Sequence, residues 1–180
     1  IGQTVNTNAS WMGELLDANG IQVIQSIAIS DTKDAILDAI DKAGKVADVV
    51  LITGGLGPTK DDITKHTLCE YFGSKLVLNQ DVLKSIEKYF TARGRKMLQV
   101  NEDQALLPDN CTVLVNIKGT ACGMWFEKDG VIYVSMPGVP YEMHYLMEAE
   151  VMPRLQEINQ YNIYHSTVKT IGIGESFLAV

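Results

Sequence analysis

The chain has 180 residues, 46% of them hydrophobic and 21% charged, a composition that fits one ordinary globular domain and excludes a disordered tail or a fibrous repeat. Fifteen Lys and Arg against 22 Asp and Glu leave a net charge of −7, which argues against a whole-surface attraction to nucleic acid or to an anionic membrane. No apolar run approaches the ~18 residues of a membrane helix.

Cys69, Cys111 and Cys122 are odd in number and lack CxxC spacing, so they read as reduced, mostly buried thiols of a cytosolic protein. Ala9–Asn19 carries Trp11, Leu15 and Leu16 at helical spacing, with Asn6 or Asn8 to cap the start and Gly20 to stop it. The β-branched run Ile21–Ile29 predicts a strand, and Thr32–Lys45 a helix. Asp48–Thr53 is a short apolar run of the kind found in parallel strands covered on both faces. Gly54–Asp62 then opens a helix over Ile63–Phe72.

Lys75–Leu78 predicts a brief strand, Asp81–Arg93 a helix, Met97–Leu106 a further helix and Thr112–Asn116 a strand. Lys128-Asp129-Gly130 between Gly123–Glu127 and Val131–Met136 is a hairpin signal. A helix follows Pro137-Gly138-Val139-Pro140 and runs to Gln160, with Pro153 as a kink or restart point, and His165–Ile171 reads as extended. The alternation predicts an α/β domain over residues 1–160 on a mainly parallel sheet with one antiparallel hairpin, and an extended segment over 161–180 leading to a following domain. The opening helix has no strand before it, which places the first strand of the sheet upstream of Ile1.

The segment most informative about chemistry is Gly54-Gly55-Leu56-Gly57-Pro58-Thr59-Lys60-Asp61-Asp62. It lies at the carboxyl end of a strand and at the start of a helix, where glycines allow close backbone approach and free amides favour an anion. It is not a Walker loop, because Lys60 follows Thr59 and not Gly and has no Ser or Thr after it, nor a GxGxxG fingerprint, because Lys60 stands where the third glycine would be. A plain strand-to-helix turn capped by Asp61 or Asp62 is the alternative. A carboxylate beside a bound phosphate is repulsive unless a divalent cation lies between them, and Mg²⁺ is commonly held by one or two carboxylates plus substrate phosphates. Asp61 and Asp62 cannot both point the same way, so one can cap while the other reaches the ligand.

Lys60, Lys65 and His66 add local positive charge, His66 as a helix-surface residue. Pro137 and Gly138 follow another apolar strand, so two parallel strands would bring both loops to one sheet edge. Asp31, after the Ile21–Ile29 run, is either a third group on that edge or a helix cap. Gly119–Gly123 is a further tight turn, and Cys122 there has no His or Asn beside it to activate the thiol.

Three motifs in order, GQTVNTNA (Gly2–Ala9), GGLGPTKDDIT (Gly54–Thr64) and PGVPYEM (Pro137–Met143), with GIGES at Gly172–Ser176, resemble the N-terminal domain of the competence/damage-inducible CinA family, a branch of the MoaB/Mog molybdopterin-binding-like proteins. The resemblance implies a three-layer α/β/α fold, a cytoplasmic bacterial protein and a homodimer. It also implies a pyrophosphatase dependent on a divalent metal (Mg, Mn or Co) that splits ADP-ribose to AMP and ribose 5-phosphate. Relatives in cofactor synthesis instead bind a pterin phosphate, and that binding module without catalysis is the alternative function.

The family's nucleotide and metal residues fall here on Gly54, Gly55, Gly57, Thr59, Asp62 and Asp31. On this reading Gly54, Gly55, Gly57, Pro58, Thr59, Pro137 and Gly138 hold phosphate or nucleotide. Asp62, Asp61 and Lys60 carry the chemistry, and Asp62 with Asp31 holds the metal. Asp61 stands where the cofactor-synthesis relatives carry a basic residue, and Cys122 where the family has proline. The family's start supplies a strand and an acidic turn that precede Gly2-Gln3, so a chain without them is expected to be inactive. Longer members continue into a middle domain and an amidase domain, and that amidase activity is not assigned to these residues.

Overall fold

The computed structural model describes residues 6–59, 62–158 and 171–172. Helix α1 (Thr7–Ala18) begins where the Asn6 side chain accepts from the Ala9 N–H at 3.1 Å, and Gly20, at φ 71°, turns the chain out of it. Residues 21–30 have no regular structure, so the strand expected over Ile21–Ile29 does not form. Val23, Ile24, Ile27 and Ile29 stay exposed. The reason is pairing: among the described strands none offers this segment a ladder, and an apolar run without one gains neither hydrogen bonds nor cover.

Helix α2 (Lys33–Ala43) follows, then strand β1 (Val49–Thr53), helix α3 (Thr64–Tyr71), strand β2 (Leu76–Leu78) and helix α4 (Gln80–Thr91). The helix expected over Met97–Leu106 is cut short. Only α5 (Gln99–Glu102) is α-helical, Asp103–Ala105 tightens to a 3₁₀ turn, and Leu106–Pro108 becomes strand β3. Antiparallel pairing of β3 with β2 and burial of Leu107 override the helical spacing there. Strands β4 (Thr112–Leu114), β5 (Gly123–Lys128) and β6 (Val131–Met136) precede helix α6 (Pro140–Leu146). A π-turn at Met147–Val151 leads to helix α7 (Met152–Ile158). Pro153, which cannot donate to the carbonyl four residues back, sits just past that turn, at the restart its sequence position predicts. Of the segment 161–180, all but Ile171 and Gly172 lies outside the described residues.

The main sheet has the order β1-β6-β5-β4. β1 runs parallel to β6, and β6–β5 and β5–β4 are antiparallel, so the described sheet is mixed. The β5–β6 connection is a two-residue turn, with Asp129 at φ 53° and Gly130 at φ 81°, the left-handed pair that an Asp-Gly hairpin predicts. Side chains alternate across the strands. Met124, Phe126 and Tyr133 face a core made with α2, α3 and α4, while Trp125, Val134 and Met136 face a second core made with α1, α6 and α7. Helices therefore cover both faces, giving the three-layer α/β/α arrangement. The parallel β1–β6 pair delivers Gly54 and Pro137 to the same sheet edge.

Candidate functional site

The β1–β6 ladder runs one bond past the strands: the Gly54 N–H donates to the Met136 carbonyl at 3.0 Å. Gly54 and Gly55 then take φ values of 100° and 68°, a conformation that side-chain-bearing residues rarely adopt. At Gly55 a Cβ would also run into the Thr64 hydroxyl, and at Gly57 it would lie 2.6 Å from the Asp62 carboxylate. The loop is closed by Asp62, whose Oδ2 accepts from the Thr59 N–H at 3.0 Å and from the Thr59 hydroxyl at 2.5 Å. Asp62 thus fastens the turn and does not cap α3, whose N-cap is Ile63. The Thr59 amide, expected to face phosphate, is taken by Asp62. Among the described residues the amides of Gly55, Leu56 and Gly57 donate to no protein group. Lys60 and Asp61 lie outside the described residues.

Above this loop lies a cleft of about 560 Å³. One wall is Gly54–Pro58 with Asp62, and the facing wall is Pro137–Pro140, so the two loops singled out in the sequence do meet. They touch: a Cβ on Gly138 would stand 3.3 Å from the Gly54 Cα. The Asn8 side chain donates to the Gly138 carbonyl at 2.8 Å, which ties α1 to the second loop. Pro140 occupies the first turn of α6, where a missing N–H leaves no gap. Asp31 does not line the cleft. It is exposed, caps nothing, and makes no hydrogen bond or ion pair among the described residues.

Of three polar residues that sequence reasoning passed over, Glu142 and Gln104 complete the walls and Asn116 bonds to Glu142. Glu142, in the first turn of α6, is 8% exposed and accepts from the Asn116 Nδ2 at 2.5 Å. Burial pushes its carboxyl pKa up, against the lowering effect of hydrogen bonds from Asn116 and Tyr141. Asn116 also donates to the Ala121 carbonyl and accepts from the Lys118 and Gly119 amides, so one buried amide shapes the whole turn that presents Thr120 and Ala121 to the cleft. Gly119 is required there, since a Cβ would overlap the Glu142 carboxylate. Gln104, 5% exposed, lines the cleft with an Oε1 that has no hydrogen-bond partner. A buried amide oxygen left open in this way suits a ligand donor. The acid in PGVPYEM was a usable signal for Glu142. Asn116 gave none because it reads as the end of a strand, and Gln104 none because its Oε1 bond is unmade among the described residues.

Lys65 is buried and donates to the Asp103 carbonyl at 3.0 Å, which fixes the strand of chain that carries Gln104. Burial lowers its pKa. His66 is exposed, as expected of a helix-surface residue. The thiols are free, and burial pushes Cys111 up to about 11 and raises Cys122 as well, which suits inert packing groups. No helix among the described residues is long and apolar enough to cross a membrane.

An α/β/α layer with two backbone loops meeting over a polar cleft at the carboxyl ends of parallel strands defines a small-molecule-binding α/β domain. The model of a family described as "Probable molybdopterin binding domain" matches residues 1–157. A CinA-like protein of Flavobacterium psychrophilum is 51% identical over 99% of this chain and 43% of its own length. The crystal structure of CinA from Thermoplasma acidophilum, a protein of unknown function, superposes with a TM-score of 0.75 at 35% identity, over 84% of this chain and 89% of that one. A molybdenum cofactor biosynthesis protein B shares the fold at TM-score 0.55 and 20% identity, over 88% of this chain and 86% of that one. The chain belongs to the probable molybdopterin-binding domain family and, within it, to the CinA group. It spans about 43% of the length of the curated relatives it matches.

Proposed function

We propose that the cleft binds the phosphate of a nucleotide and that the domain hydrolyses the pyrophosphate link of ADP-ribose, giving AMP and ribose 5-phosphate, with a divalent cation (Mg, Mn or Co). The observation that supports this most is the loop itself: three unengaged amides at Gly55–Gly57 beside the Asp62 carboxyl group. Amides at the end of a strand favour an anion, and a carboxylate so near an anion favours a cation between the two. Among the described residues no three His, Cys, Asp or Glu side chains converge into a group that could hold a metal ion. Asp62 fits a cation held mainly by the ligand's own phosphates, whereas Asp31 is not at the cleft.

When bound, such a cation neutralises the diphosphate and makes an attacking water more acidic. The chain's own part is to seat one phosphate on the Gly55–Gly57 amides, to hold Asp62 rigid through Thr59, and to offer the Gln104 Oε1 to a ligand donor. Lys60 and Asp61 belong to this reading as charge at the leaving phosphate and as a second carboxylate. Pro137, Gly138, Pro58 and Thr59 shape the walls. The same reading places the protein in the cytoplasm, as a homodimer, with residues 161–180 leading to a following domain.

Asp62→Asn is expected to abolish AMP release from ADP-ribose, measured chromatographically with Mg²⁺, Mn²⁺ or Co²⁺ against a chelator control, while far-UV circular dichroism stays unchanged. Turnover equal to wild type would remove Asp62 from the reaction. The second reading, binding of a pterin or nucleotide phosphate without chemistry, draws on the family's description and on the cofactor-synthesis proteins that share the fold. It predicts ligand affinity with no turnover under any of the three metals.

A further inference from the structure

A second cavity of about 420 Å³ adjoins the glycine cleft, and Thr120 lines both. Its other walls are Tyr89, Phe90, Arg93 and Arg95, from the last turn of α4 and the residues just after it. The Arg93 guanidinium carbon stands 3.5 Å from the Tyr89 ring centroid, and its Nη1 donates to the Tyr89 carbonyl at 3.2 Å. Those contacts fix the side chain without neutralising it. Gly94, at φ 62°, turns the chain back so that the Arg95 N–H donates to the Phe90 carbonyl at 3.0 Å, which sets Arg95 beside Arg93.

Among the described residues neither arginine has a carboxylate partner, although the chain as a whole carries seven more acids than bases. Two guanidinium groups without a described carboxylate partner, Arg93 held by Tyr89 and Arg95 lining the same cavity, share Thr120 with the wall of the glycine cleft and lack the counter-charge that their chemistry seeks. Tyr141 links the two cavities electrostatically. Its hydroxyl pKa is raised, chiefly by the Glu142 charge, and Arg93 acts on it in the opposite direction.

We propose that this second cavity is the other half of the ligand site, where Arg93 and Arg95 hold the second phosphate of a nucleotide whose first phosphate rests on the glycine loop. The proposal rests on the phosphate reading of that loop and extends it to residues outside the four segments on which the resemblance was based. A ligand with one phosphate satisfies the amides and leaves the arginines uncompensated; one with a diphosphate meets both. Guanidinium forks match phosphate oxygens in pairs, so the discrimination is specific to Arg.

Calorimetric titration with AMP and with ADP, with Mg²⁺ present to stand between Asp62 and the phosphate and with the nucleotides checked chromatographically for intactness afterwards, tests the assignment. The wild-type chain is expected to bind ADP about tenfold or more tightly than AMP, with a preference that weakens as salt rises. The R93Q/R95Q variant is expected to bind AMP as wild type does and to lose the preference for ADP, and R93K/R95K to recover part of it. Arg95→Gln alone, which leaves the Arg93–Tyr89 stack intact, gives the same reading at smaller size if the double variant unfolds. A preference for ADP that survives in these variants, or equal affinity of the wild type for both nucleotides, overturns the second-phosphate assignment and leaves the loop reading standing. Failure of the wild type to bind either nucleotide overturns the loop reading, and this proposal with it.

Discussion

At the scale of single residues, the loop depends on atoms that are absent. Gly55 combines a left-handed backbone with the Thr64 hydroxyl at the place where a Cβ would go, so Gly55→Ala is expected to destabilise the domain by about 1–3 kcal/mol in urea denaturation and to weaken AMP binding. A loss under half a kcal/mol would mean that the loop relaxes without consequence. Glu142 gives a pH signature whose sign follows from burial. Its carboxyl pKa is raised in the folded chain, so between the unfolded and folded values the native state holds a proton that the unfolded state has released. Stability is therefore lost as pH rises through that window and regained as pH falls. Glu142→Gln removes the titration, and its Tm relative to wild type is expected to climb as pH rises above the ordinary carboxylate range. A difference that stays flat with pH would show that Glu142 ionises as it does in the unfolded chain. The glycines and Asp62 were legible in the sequence because their requirement is local. Asn116 and Gln104 were not: Asn116 reads as a strand end although it bonds both its own turn and Glu142, 26 residues on, and the role of Gln104 comes from an unmade bond.

Among elements, those with chemical punctuation at their ends were the readable ones. Asn6 and Asn79 cap α1 and α4, and Asp129-Gly130 makes the hairpin turn. Asn79 accepts from the Asp81 and Val82 amides, both at 3.1 Å, so Asn79→Ala is expected to cost about 1 kcal/mol of stability by chemical denaturation, and Asn79→Ser much less. Equal losses for the two would place the effect in packing and not in the cap. Elements whose state depends on a distant neighbour were misread. Ile21–Ile29 has strand chemistry without a described strand to pair with, and the helix expected over Met97–Leu106 gives way at its end, where Leu106 pairs with β2. Propensity is the weaker determinant in both, and pairing the stronger.

For the molecule as a whole, the sheet is the shared wall of two cores, and each depends on the other through β5 and β6. Phe126 on one face and Leu146 against the other are buried, so Phe126→Ala and Leu146→Ala are each expected to cost about 2–5 kcal/mol and to shift a single unfolding transition. Two separate transitions by near- and far-UV circular dichroism would show that the layers unfold independently. The α/β class was legible from alternating strands and helices, the three layers came from the family resemblance, and the meeting of the loops followed from one parallel pair. The contact of Gly138 on Gly54 has a kinetic meaning. The loops are held backbone to backbone and joined by the last rung of the β1–β6 ladder, so a ligand arrives at a mouth that is already set. Little chain entropy is left to lose on association. Capture then runs at a rate governed by encounter and charge, differences between ligands are felt in how long they stay, and the heat-capacity change on binding reports the burial of ligand surface and not the folding of a lid.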